Sequence, residues 1–388
     1  MKFSDEVIDK ILYSNILNKE HKRERSLSFL KVLAKDFKFL FYTRLPRISD
    51  ATPAILFFSS KTYFDVNALP FPLYTYKERL PKGIELNFSH EEHCLFMAFF
   101  MPRFLQRRIL SYVYRSIAER LDSINLKVFI CNNPEFISYL VAYYFKTKKT
   151  ILITMQHGTY SKHYQPQFYE KDIADLCFVW GNAYKDCYIR GGVAPGSIKV
   201  VSAPFTYSEA FNRKFQEGTS YKPIFLGQQL YKISAEVVDP YNKALRGLID
   251  VYKEKGIRLV YKPHPREDVK RSLLPEIKEE LLIIDKKNVT DDFFNPYTHA
   301  YSVNSTSLIK ALCAGLQCYQ INLEVKNIPN EIYAENTSVR WTGIGEIRNH
   351  LQKEKFDDNY ISEDYINLQP SPRLYNAEIL TQIMHESA

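Results

Sequence analysis

Paired cysteines are missing from this sequence: its six (Cys94, Cys131, Cys177, Cys187, Cys313 and Cys318) include no CxxC spacing and sit mostly in apolar strand or helix contexts. That excludes a disulfide framework and a zinc ligand set, and leaves the reduced core thiols expected of a cytosolic protein. Long apolar runs are also missing. Tyr (28) and Phe (26) are abundant, yet no stretch approaches the ~18 consecutive apolar residues of a membrane span. The opening MKFSDEVIDKILYSN carries acids where a secretory leader would be basic and then apolar. There is no G-x-G-x-x-G, no P-loop, no nucleophile elbow and no D-x-D pair. These absences argue against a glycine-read dinucleotide, a P-loop nucleotidase, a serine hydrolase of the elbow type and an aspartate-held metal.

What is present is an ordinary globular composition, 45% apolar and 25% charged, in a chain of 388 residues, more than one core usually fills. Two domains are therefore expected. The net charge of +8 is unevenly placed, because residues 19–47 hold nine Lys/Arg against three acids. Within them Leu27, Leu30, Leu33, Phe37 and Leu40 share one helical face while Lys31, Lys35 and Lys38 lie elsewhere. Such a helix rests on an anionic leaflet or packs its stripe on a core, and both readings stand. No nucleic-acid motif accompanies the basic stretch, so nucleic acid is not expected as a partner.

Short apolar strands alternate with helical stretches. Strands are expected at 54–60, 127–132, 150–156, 176–181 and 198–204, and, after the polar stretch 212–222, at 223–228, 257–262, 281–285, 300–303 and 318–322. Alternation of this kind implies parallel sheets with crossover helices, and the restart near residue 220 implies two such sheets in series. The expected domains are 1–211 and 220–369, with a final helix over 370–388 crossing back to the first. Two α/β domains in series form a cleft between the carboxyl ends of their strands, the default ligand site.

Polar chemistry collects at those ends in both halves. In LVYKPHPRED (259–268), two prolines hold His264 at the end of a strand, flanked by Lys262 and Arg266, with Pro265 suited to open a helix. In FLGQQLYK (225–232), Gly227 and Gln228 end the first strand of the second half, where amides and backbone N–H groups can hold a base or phosphate. In HAYSVNSTSLIKALCAG (299–315), Asn304, Ser305, Thr306 and Ser307 stand where a helix begins, as phosphate ligands or simply as caps. In TMQHGTYSKHYQ (154–165), a buried strand ends at Gln156, His157 and Gly158; His157 can take a proton from a hydroxyl nucleophile, with Lys162 and His163 following. Together these fit a nucleotide held through its phosphate, without metal, and displaced by an acceptor hydroxyl.

LGQQL (226–230), YKPHPRED (261–268) and NSTS (304–307), in this order and spacing, resemble the donor domain of bacterial sialyltransferases and polysialyltransferases, GT-B enzymes of surface polysaccharide synthesis. QHGTYSKHY (156–164) is similar to the His-Gly motif of CDP-glycerol glycerophosphotransferases, and capsule Kdo transferases share the layout. The resemblance spans about residues 150–320. It implies a GT-B fold of two Rossmann-like parallel-sheet domains facing a central cleft. It implies a cytoplasmic, peripheral enzyme moving an acidic sugar from a CMP-activated donor to a capsule or lipopolysaccharide glycan, or else a polyol phosphate from a CDP-polyol. By the resemblance His264, Ser305 and Thr306 contact the CMP phosphate with Lys262 and Arg266 in support, and His157 is the base. No cofactor beyond the donor is implied. The acidic pair followed by glycine that polysialyltransferases use is missing; Glu91, Glu92 and Glu135 are the substitutes on offer.

Overall fold

A computed structural model describes residues 50–386, apart from 59–62, 77–82, 87, 89–90, 92–93, 96–97, 99–100, 132–135, 161–163, 168, 207–210, 212–219, 233–234, 286–288, 324, 326–331, 334 and 353–357. The basic stretch 19–47 lies outside them, as do Glu92, Glu135, Lys162 and His163. The expected apolar runs all became strands. The first set is β1 (Asp50–Phe58), β2 (Leu73–Tyr76), β3 (Gly83–Leu86), β4 (Ile124–Cys131), β5 (Ile151–Met155), β6 (Leu176–Val179) and β7 (Ile198–Val200). Helices α1 (Arg103–Leu121), α2 (Phe136–Lys146) and α3 (Asn182–Arg190) connect them. The second set is β8 (Pro223–Leu226), β9 (Val260–Lys262), β10 (Leu282–Ile283), β11 (His299–Ser302), β12 (Gln317–Ile321) and β13 (Arg340–Thr342). With it go α4 (Val238–Lys253), α5 (Val269–Ser272), α6 (Pro275–Glu280), α7 (Ser307–Cys313) and α8 (Ile344–Gln352), and α9 (Pro372–Glu386) follows.

The strand orders are β3-β2-β1-β4-β5-β6-β7 and β10-β9-β8-β11-β12-β13. Within each sheet every described pairing is parallel. Both sheets thus reverse direction of growth once, between β1 and β4 and between β8 and β11. At such a switch point the flanking loops part and leave a crevice at the carboxyl ends of the strands.

Residues alternate between the two faces of each sheet, as the pleat requires. In the first sheet Leu56, Phe58, Phe129 and Leu152 pack with Leu110, Val113 and Ile117 of α1 and Leu140 of α2. In the second sheet Phe225, Tyr261 and Tyr301 pack with Leu245, Leu248 and Tyr252 of α4. The opposite faces (Ile55, Phe57, Val128 and Ile153 in one sheet, Ile224, Leu226 and Ala300 in the other) belong to one continuous cluster. That cluster also holds Leu308 and Leu312 of α7 and Leu380, Ile383 and Met384 of α9.

The helix α9 is pinned to the first sheet by Asn376, which is wholly buried. Its amide donates to Tyr63 O and Ser202 O, each at 2.9 Å, and its oxygen accepts from Ser202 N at 2.9 Å. The segment leading to α9 runs along the carboxyl end of β6, where Ala183 N donates to Asp364 O at 2.9 Å and Ala203 N to Asn367 O at 2.9 Å.

One local expectation is corrected. Pro265 opens no helix; residues 265–266 form a turn, and α5 begins at Val269 behind Asp268, whose carboxylate accepts from Lys270 N. Pro275 then starts α6 at its first position and forces Leu274 into extended geometry, so the residues after the turn form two short helices.

Candidate functional site

The second sheet's switch point gathers the donor-side candidates. Leu226, at the end of β8, accepts from Ser302 Oγ of β11 at 3.0 Å, and Gln228 Oε1 accepts from Asn304 N at 3.0 Å. These two bonds tie the loops that flank the crevice. Ser305 N donates to Ser302 Oγ at 3.3 Å, and Ser305 Oγ accepts from Ser307 N, the first residue of α7, at 3.3 Å. Gly227 is required by packing rather than by an unusual φ. A Cβ there would lie 2.5 Å from Tyr261 Oη and 2.6 Å from Glu267 Oε2.

His264 follows β9, next to β8 in the sheet. Its Nδ1 receives Arg266 N at 3.1 Å and Gln229 Nε2 at 2.9 Å. A backbone N–H can only donate, so Nδ1 is an acceptor and the neutral ring carries its proton on Nε2. Beneath the turn sits Glu267, buried at 2% exposure. It accepts from His264 N at 2.9 Å and from Tyr261 Oη at 2.6 Å. Tyr261 Oη is also 2.8 Å from Tyr241 Oη, completing a buried polar chain. Lys262 is buried, and its ammonium donates to Pro263 O at 3.1 Å. Burial lowers its pKa from the ordinary lysine value, against the opposing charges of Asp285 and Glu267. A lysine held this way is a cation poorly shielded by water, which strengthens its field at the turn. Arg266 is exposed beside it.

The first domain meets this assembly through the loop after β5. Gln156, wholly buried, accepts from Trp180 N and donates to Gly158 O, both at 2.8 Å, which locks the turn. Thr159 N then donates to Thr306 Oγ1 at 3.1 Å, and Thr159 Oγ1 lies 2.8 Å from Tyr333 Oη. Tyr333 Oη donates to Ser305 O at 2.9 Å. The carboxyl ends of the two sheets therefore face and touch each other. Gly158 lies so close that a Cβ would stand 3.1 Å from Thr306 Oγ1. Thr306 thus takes part in the junction between domains, and the loop after β8 bonds both the His264 turn, through Gln229, and Asn304, through Gln228.

His157 is exposed, with Nδ1 3.1 Å from Tyr160 Oη. A base at Nε2 needs the tautomer in which Nδ1–H donates to that hydroxyl. Tyr160 stacks on Tyr164 at 3.8 Å and 6°. Tyr164 Oη donates to Glu170 Oε2 at 2.8 Å, and Gln167 N to the same oxygen at 2.6 Å; Tyr188 Oη holds the other oxygen. Burial raises the Glu170 pKa above the usual carboxylate value. This pile of rings is the backing that orients His157.

Glu91 is no exposed base. It is wholly buried, accepting from Ser116 Oγ at 2.6 Å and pairing with Arg120 at 3.2 Å on α1. Three positions that tie these loops together escaped the sequence reading: Glu267, Thr159 and Tyr333. Glu267 looks like any acid in a helix's first turn, and Tyr333 lies far in sequence from everything it joins. Among the described residues no group of three or more His, Cys, Asp or Glu is placed to hold a metal ion, and no helix is long and apolar enough to cross a membrane.

Two facing Rossmann-like domains with opposed switch-point ends define the GT-B fold. Solved structures share it. The UDP-GlcNAc 2-epimerase of Methanocaldococcus jannaschii has a TM-score of 0.55 at 13% identity, covering 85% of this chain and 99% of that one. The same enzyme in complex with UDP-GlcNAc and UDP gives a TM-score of 0.53 at 13% identity over 85% and 99%. The Neisseria meningitidis UDP-GlcNAc 2-epimerase bound to UDP-GlcNAc gives 0.53 at 10% identity over 86% and 100%. At this identity the likeness is one of fold. No protein-family model matches the chain, and no curated protein matches it.

Proposed function

We propose that the chain is a glycosyltransferase moving an acidic sugar (sialic acid, Kdo or a relative) from a CMP-activated donor to a capsule or lipopolysaccharide glycan, without a metal. The observation that supports this reading is that the loop after β8 bonds both the His264 turn, through Gln229, and Asn304, just ahead of Ser305, through Gln228. With Nδ1 accepting from Arg266 N and Gln229 Nε2, the neutral His264 ring carries its proton on Nε2, the group this reading sets against a phosphate oxygen, and Lys262 and Arg266 add positive charge. Gln228 and Asn304 hold the crevice walls together, and Gly227 lets the polar chain under the turn close up. Leaving-group charge is met electrostatically, and His157, backed by Tyr160, takes the acceptor's proton. The reading makes this a cytoplasmic enzyme at the inner face of the membrane, with residues 19–47 as the contact.

Two neighbouring readings have support of their own. The Gln156–Gly158 turn favours a CDP-polyol donor and phosphate transfer. The shared fold of UDP-GlcNAc 2-epimerases favours UDP and inversion at a sugar carbon.

The test is thermal stabilisation by CMP, CDP, UDP and GDP, with and without EDTA. A ligand at 100 times its Kd adds roughly 2.7 kcal/mol. The expected result is preference for CMP, indifferent to EDTA, with affinity falling about tenfold or more in His264→Ala. Preference for UDP or GDP overturns the donor assignment. Unchanged affinity in His264→Ala overturns the phosphate site.

A further inference from the structure

Beside the Thr159–Tyr333 contact, a cavity of about 240 Å³ lies between the domains. Its walls come from Tyr160 and α3, from Ile332, Glu335 and Asn336 of the second domain, and from Tyr365 in the segment that returns to the first. We propose that this cavity binds one neutral sugar ring, which then bridges the two domains.

Size argues for a single ring. Sites for drug-sized ligands occupy about 300–1,000 Å³, so this one is too small for a nucleotide. Its walls suit a pyranose, which has C–H faces and a rim of hydroxyls. Tyr160, Tyr184 and Tyr365 supply aromatic surface, with ring centroids 6.1 Å apart for the first two and 5.0 Å for the last two. Asp186, Glu335 and Asn336 supply acceptors for hydroxyl groups. Two carboxylates against one guanidinium, that of Arg190, disfavour a phosphate or an acidic sugar.

Tyr184 is 2% exposed and its hydroxyl lies beside that of Tyr365, which donates to Ile332 O at 3.0 Å, so this aromatic wall is fixed in place from both domains.

The site connects to the proposed chemistry through Tyr160. Its ring lines the cavity while its hydroxyl meets His157. An occupant touching both domains favours the arrangement in which the loops meet, and by linkage it and a crevice ligand tighten each other's binding.

The test uses the full chain without nucleotide, so failure of the donor assignment does not touch it. N-acetylglucosamine and N-acetylneuraminic acid are titrated separately by saturation-transfer NMR, with affinity for one ring expected on the order of millimolar. Binding of N-acetylglucosamine, weakened at least ~5-fold in both Asp186→Asn and Glu335→Ala, supports the site. Both positions are exposed, and each variant's melting temperature is checked against the parent. No transfer to either sugar, equal binding of the acidic sugar, or unchanged binding in both variants overturns the proposal.

Discussion

Glu267 lies under the turn that presents His264, and removing its carboxylate tests whether that turn is held from below. In Glu267→Ala two buried donors, His264 N–H and Tyr261 Oη–H, lose a charged acceptor. Each such loss costs about 1–3 kcal/mol. Tyr261 recovers part by turning to Tyr241 Oη, 2.8 Å away. The expected destabilisation is therefore about 2–4 kcal/mol. Glu267→Gln keeps one acceptor and the shape, so about 1–2 kcal/mol is expected. The chain has two tryptophans, Trp180 just past β6 and Trp341 in β13. In a Trp180→Phe background, fluorescence reports the second domain alone, which matters because two-domain chains unfold in more than one step. Trp180 Nε1 has no hydrogen-bond partner among the described residues, so the background change removes volume but no bond. With a urea slope of roughly 2 kcal/mol/M, the Ala variant should unfold at 1–2 M less urea. Its CMP affinity should fall in the same order, Ala below Gln below parent. An Ala variant within ~0.5 kcal/mol of the parent refutes the reasoning. A Gln variant as damaged as Ala shows that the charge matters rather than the pair of acceptors.

His299, packed beside Tyr301 and Tyr319, has its pKa brought down from 6.5 to about 3 by burial, with Arg340 acting the same way. Below pH 6.5 the unfolded chain takes up a proton that the folded one refuses, so stability should fall as pH drops from about 6.5 towards 3. The upper limit is about 5 kcal/mol; His299→Phe should flatten that slope in urea titrations, and an unchanged slope rejects the assignment. Lys262→Met should leave stability unchanged or raise it by about 1 kcal/mol, since burial already penalises the ammonium, yet weaken CMP binding about tenfold. Unaltered CMP binding in the same calorimetric titration removes Lys262 from the site. Tyr333→Phe deletes the hydroxyl joining Thr159 to Ser305 O, so small-angle scattering should show a larger radius of gyration while the Trp341 transition shifts by less than about 1 kcal/mol. An unchanged radius means the domains meet without that bond.

The interior strands were readable because parallel strands buried on both faces are continuous apolar runs. PIFL and AILFF announce themselves in this way. β2, β3 and β13 were not foreseen. They are three or four residues long and lie at or near sheet edges, and GIEL and RWT carry polar residues that mask the pattern. At the site, the residues that end strands were visible because proline, glycine and hydroxyl clusters punctuate the chain. The residues that support them were not. Glu267 acts through atoms above it, and Tyr333 reaches Ser305 O from 28 positions downstream. Contacts of that kind are decided by topology, which local sequence does not encode. Thr306 has a contact of the same kind: its hydroxyl accepts from Thr159 N of the other domain, 147 positions upstream.

The return of α9 to the first sheet also sets an order of manufacture. The strands of that sheet leave the ribosome by Val200, but Leu380 and Met384, which cover one of its faces, are nearly two hundred residues away. At about 5–20 residues per second, the face around Ile55 and Phe57 waits roughly 10–40 s for its cover. The second sheet, begun later, has its own strands and α7 in hand before that. The half of the protein made first is therefore the half finished last, and until then its uncovered face is where a chaperone would have to hold on.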